Sequence, residues 1–124
     1  MPSHDDAATP RAMNFERLRQ ISGGDPSFER DVLEALLAEI PNQLALTDAG
    51  LQTGDTARAL REAHSLKGSA LNIGAETLGR TVAELERLTR AGDIAAARAT
   101  LARALDEFDE LRRALRAYLR SRAA

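Results

Sequence analysis

His64, Lys67 and Gly68 are the residues whose types and spacing best suit chemistry. The chain carries 17 basic side chains, and Lys67 is its only lysine, all the others being arginine. That lysine stands three positions after one of only two histidines, in Ala63-His64-Ser65-Leu66-Lys67-Gly68-Ser69-Ala70-Leu71. Imidazole titrates near neutrality, so its neutral form offers a ring nitrogen as a nucleophile. Such a nitrogen can attack phosphorus and carry a phosphoryl group. That reaction depends on positioning and on stabilising charge on the equatorial oxygens. Lys67, one turn away, supplies a point charge on a flexible stem. Its effect at a wet surface is modest, roughly 1 kcal/mol, and grows once a partner excludes water. Gly68 interrupts a good helix at a cost of about 1 kcal/mol relative to alanine, and it clears space beside the imidazole.

Taken singly, these are a solvated histidine, a routine lysine and a tolerated glycine. Their convergence on one face favours the functional reading. The helix that carries them runs from about Thr56 to Ile73, with Ala59, Ala63, Leu66, Ala70 and Ile73 as its core stripe. At about 100° per residue, that stripe centres roughly 130° from His64, so the imidazole faces outward. Leu60, Lys67, Gly68 and Leu71 lie within about 60° of it. Leu60, Arg61 and Leu71 are the expected partner-binding residues, the leucines offering apolar docking area.

Counting across the turn near Gly74-Ala75 brings in a fourth residue. His64 is ten residues before Gly74 and Glu86 is twelve after it. In an antiparallel pair rising about 1.5 Å per residue, the two are nearly level. Two readings of Glu86 stay open: it accepts a hydrogen bond from His64 Nδ1–H, or it is a solvated residue paired with Arg90 at i+4.

The elements that position these residues are all helical. Hydrophobic residues make up 44% of the chain but aromatics only 3%, which favours packed helices over a sandwich or barrel. Residues 1–13 read as a disordered tail. A short helix follows at Phe15, Leu18 and Ile21 and ends at Gly23-Gly24. Asp25-Pro26 starts a second helix, with a capping carboxylate and proline at its first position. Its expected face is Phe28, Val32, Leu36, Ile40, Leu44, Thr47 and Leu51, with a kink or split at Pro41. Asp55 and Asp93 cap later helices. Leu78, Val82, Leu85 and Leu88 mark the fourth. Leu101, Leu105, Phe108, Leu111, Leu115 and Leu119 mark the fifth. The expected architecture for residues 14–122 is an antiparallel up-and-down four-helix bundle with the short helix laid against it.

Several classes are excluded. With no cysteine, there is no disulfide or thiolate chemistry. A net charge of −2 gives no footprint for nucleic acid. No run approaches the roughly 20 apolar residues of a membrane span, so a cytoplasmic location without direct membrane binding is expected. His4 lies far from His64 with no zinc spacing, so no metal site is expected. Ser65 and Ser69 lack a hydrolase motif. No glycine-rich phosphate loop follows a strand, so neither autonomous kinase activity nor a bound cofactor is expected.

The run His64-Ser-Leu-Lys-Gly-Ser-Ala-Leu-Asn-Ile-Gly74 resembles the signature of histidine-containing phosphotransfer (HPt) domains of phosphorelays. The likeness continues through Ala75, Leu78, Leu85-Glu86 and Ala91-Gly92-Asp93, and covers roughly residues 14–120. The resemblance implies that His64 is the phosphorylated residue, Lys67 its charge partner and Gly68 the space-clearing glycine. A glutamine or related polar residue that orients the histidine often stands in the family where this chain has Glu86. The implied partners are receiver domains of response regulators or of a hybrid sensor histidine kinase, each with a phosphorylatable aspartate. The Mg²⁺ needed for transfer is implied on the receiver, and the carrier itself is expected to be a monomer. Ala70, where the family often has a small hydroxyl residue, and Pro41 are departures. The alternative reading is a helical adaptor that binds a signalling partner without moving phosphate.

Overall fold

The computed structural model describes residues 12–123. Among these residues there are five helices: α1 (Phe15–Ser22), α2 (Pro26–Thr53), α3 (Thr56–Ile73), α4 (Glu76–Arg90) and α5 (Ile94–Ala123). No strand occurs among the described residues.

The helix ends follow local chemistry. Asp25 accepts from the backbone N–H groups of Ser27 and Phe28, with Pro26 at the first helical position. Asp55 accepts from Arg58 N at 3.1 Å and Asp93 from Ala96 N at 3.2 Å. These caps satisfy donors that the first helical turn leaves free. Gly74 closes α3 at φ +91°, in the left-handed region. A Cβ there would stand 2.7 Å from Asn14 O, so the turn requires glycine for space as well.

Each long helix packs on its neighbour in sequence, and α5 returns against α2; α1 lies on α2 and α3. The core is aliphatic, as composition requires: Leu33, Ile40, Leu44, Leu66, Leu78, Val82, Leu85, Leu111 and Leu115 are all buried. On α3 the buried stripe is Ala59, Ala63, Leu66, Ala70 and Ile73, as the spacing predicts.

Four expectations are corrected. Phe28 is exposed, and Leu33 is buried instead. Leu105 is exposed, and Ala104 is buried instead. On α2 the expected face advances by successive steps of four, which precess by about 40° each; on α5 Leu105 is one step of four from Leu101 where the buried face takes a step of three to Ala104. The buried face alternates steps of three and four, as in Ala97, Leu101, Ala104, Phe108, Leu111 and Leu115. Of the kink or split expected at Pro41, the split does not occur: α2 runs unbroken from Pro26 to Thr53 with the proline inside it. Pro41 lies on its exposed side, where water can take the carbonyl that proline leaves without a donor. Met13, assigned to the tail by sequence, is buried in the core; the rest of that tail, to residue 11, lies outside the described residues.

Two tethers fix α1. At the α3–α4 turn, Asn14 N donates to Gly74 O at 2.7 Å and Arg17 Nε to Asn72 O at 3.0 Å. Near the start of α2, the carboxylate of Glu29 is 1% exposed. It accepts from Ser22 Oγ at 3.1 Å and pairs with Arg122 Nε at 3.2 Å. The Phe15 and Tyr118 rings stack at 4.5 Å in the same region.

Candidate functional site

The α3 core stripe determines where His64 points. Ala63 is fully buried, and the next residue along the helix is turned by about 100°. The His64 side chain is 70% exposed. Gly68, one turn on, is exposed, and a Cβ built on it meets nothing within 4 Å. Close packing against another helix therefore does not explain this glycine.

Beneath the ring, α4 supplies Glu86. Leu85 and Val82 hold that face of α4 in the core, so the Glu86 carboxylate is brought in from solvent and is only 5% exposed. A buried carboxylate needs partners, and three surround it. His64 Nδ1 lies 2.8 Å from Oε2, Lys67 Nζ donates to Oε1 at 2.5 Å, and an Arg90 guanidinium N–H donates to Oε2 at 3.2 Å. The Lys67 hydrogen bond is the largest influence on the Glu86 carboxyl. It outweighs burial, which acts in the other direction, and with the bonds from His64 and Arg90 lowers the pKa from 4.5 to about 2. Ionised, Glu86 can only accept. The proton of the His64–Glu86 bond therefore sits on Nδ1, which in the neutral ring leaves the lone pair on Nε2.

The structure bears out the first reading of Glu86 and corrects the second: it meets His64 across the helix pair, and it does pair with Arg90 on its own helix, but as a buried carboxylate rather than a solvated one. The Lys67–Glu86 pair was not foreseen. Its signal was present, because Glu86 is level with His64 and Lys67 is one turn from His64. A second unforeseen contact lies next to His64, where Gln43 Nε2 of α2 donates to Ser65 Oγ at 3.2 Å.

The expected docking residues differ among themselves. Leu60 is half-buried, and Arg61 is exposed on the flank of α3. Leu71 is half exposed; its inner atoms pack over Gly79 of α4, occupying the space that a Cβ on Gly79 would need. A groove of about 490 Å³ lies elsewhere, between Asp48 of α2 and residues such as Arg98, Leu101 and Leu105 of α5. Among the described residues no group of three or more His, Cys, Asp or Glu is placed to hold a metal ion, and no helix is long and apolar enough to cross a membrane.

A bundle helix that presents an exposed imidazole, with Nδ1 tied to a buried carboxylate, has the arrangement that a nucleophilic histidine requires. The family model described as "Hpt domain" matches residues 31–117. That span contains all of α3 and α4 and most of α2 and α5, but not α1. The chain belongs to the Hpt domain family, whose domains serve in histidine phosphotransfer in phosphorelays and interact with receiver domains. Comparison with curated proteins and with solved structures gives no match.

Proposed function

We propose that His64 accepts a phosphoryl group from a receiver-domain aspartate and passes it to the aspartate of a second receiver, reversibly. The observation that carries this reading is the exposed ring whose Nδ1 bonds to Glu86 at 2.8 Å. In the forward step the Nε2 lone pair forms the P–N bond while the P–O bond of the aspartyl phosphate breaks. The aspartate leaves as a carboxylate. The proton stays on Nδ1, and the positive charge the ring acquires faces the Glu86 carboxylate. Return transfer runs the same steps backwards.

Lys67 neutralises charge on the equatorial phosphoryl oxygens, and its side chain, 28% exposed, is accessible to them. Gly68 leaves the in-line path open. Leu60, Arg61 and Leu71 frame the docking face. The Mg²⁺ of the reaction belongs to the receiver partner, and nothing in this reading gives the chain kinase activity of its own. The four long helices act as an antiparallel up-and-down scaffold, and the protein works as a cytoplasmic monomer.

Incubation with a phosphorylated receiver domain tests the proposal. The expected product is acid-labile, base-stable phosphate on this chain, lost in His64→Gln. A receiver that binds without transferring phosphate would instead support a docking adaptor.

A further inference from the structure

Arg90 is a partner of Glu86 that the transfer step does not itself require. It lies one turn along α4, and its guanidinium reaches the same Oε2 that accepts from His64. Its side chain is 65% exposed, so burial does not oblige it to pair there. The neighbouring Arg87 is committed elsewhere, to Glu84 at 2.5 Å.

The charges around the ring give this contact a purpose. Lys67 and Glu86 are 2.5 Å apart and cancel when seen from a phosphoryl group above the ring. With those two alone the cluster would be neutral. The transferred PO₃⁻ unit would then leave it with a net negative charge. Arg90 adds one positive charge, so the cluster starts at one net positive and ends neutral.

We propose that Arg90 is a positioning residue that offsets the charge of Glu86, so that a glutamate can hold Nδ1–H without cancelling the attraction for the incoming phosphoryl group. It also leaves Glu86 with a cation when Lys67 turns to the phosphoryl oxygens. This inference rests on the phosphocarrier reading above.

The test is the rate of His64 phosphorylation, measured with phosphoramidate as a small donor and with a phosphorylated receiver. Arg90→Gln should be about fivefold slower, the size expected for one exposed charge. Arg90→Lys, which keeps the charge, should stay within about twofold of the native rate. The double variant Glu86→Gln/Arg90→Gln restores the net charge while a glutamine carbonyl still accepts from Nδ1–H. It should recover to within about twofold of the native rate. Arg87→Gln, the control on the same helix, should have no effect. Circular dichroism and melting temperature verify that each variant is folded.

A native rate in Arg90→Gln overturns the inference. So does an Arg90→Lys as slow as Arg90→Gln, or a double variant no faster than Arg90→Gln. A native protein that takes phosphate from neither donor overturns the phosphocarrier reading and this inference with it. A native protein that accepts phosphate while the variants fail the pattern overturns this inference alone.

Discussion

Two glutamates are buried among the described residues, and they do different work. Glu29 is 1% exposed and Glu86 5% exposed, and each carboxylate is held by a cation from another helix. Glu29 ties Ser22 at the end of α1 to Arg122 at the end of α5. Its partners, a guanidinium and a serine hydroxyl that is itself buried, present no reactive group to solvent, so the cluster is a clasp. Glu86 sits under an imidazole that is 70% exposed. Burial of an acid therefore does not mark a functional site by itself. What marks it is the reactive group that the acid orients towards solvent.

The sharpest way to break this comparison is to remove the two features separately. His64→Gln should abolish phosphate acceptance entirely while leaving the melting temperature nearly unchanged, because the side chain is 70% exposed and a glutamine amide can still donate to Glu86. Radiolabelled transfer and a thermal melt on the same sample check this. Acceptance by the variant would move the site to another residue.

Glu29→Ala should do the opposite. It removes a buried anion and strands Arg122, whose side chain is about one-third exposed and can partly resolvate. The expected loss is about 2–3 kcal/mol of stability, below the full value for a buried pair. Transfer by the folded fraction should be native. Urea denaturation measures the first and a transfer assay well below the melting temperature the second.

The pH dependence of stability sharpens the contrast. The Glu86 pKa is depressed from 4.5 to about 2 in the folded protein. Its contribution is thus fully present above about pH 4.5 and is lost as pH falls towards 2. Because Lys67 and Arg90 both contact solvent, the contribution is of order 2 kcal/mol rather than the full value of the shift. In Glu86→Gln this component should vanish, so the stability curves of the two proteins should converge as the pH is lowered from 5 to 2. Curves that stay parallel would mean that Glu86 is not held by its cations.

Gly68→Gln is expected to have the smallest effect on stability. A good helix former should raise it by up to roughly 1 kcal/mol, since a Cβ there meets nothing within 4 Å. The same side chain should slow transfer by standing in the donor's path. Faster or unchanged transfer would leave this glycine without a functional explanation.

Much of this was legible in the sequence, for identifiable reasons. Helix ends were readable because Asp25, Asp55 and Asp93 announce them through short-range chemistry. The α3 core stripe was readable because its spacing alternates threes and fours. Phe28 misled because a run spaced by four drifts off the buried face, and Leu105 because a leucine beside Ala104 outweighs it on hydrophobicity although the smaller residue holds the buried position. Met13 gave no signal, since a single apolar residue beside a polar segment has no periodicity. The level of Glu86 beside His64 followed from helix rise and turn position alone. Its simultaneous grip on Lys67 and Arg90 did not, because spacing along a helix gives register and says nothing of which cations share one carboxylate.

The Lys67–Glu86 ion pair also makes the site spectroscopically addressable. No other side chain in the molecule carries a primary amine. Reductive methylation with ¹³C-formaldehyde keeps the ammonium charge, and on a side chain it gives one labelled position, next to the reacting ring. Its resonance reports whether the ammonium rests on the carboxylate or has moved to a phosphoryl oxygen, without a mutation.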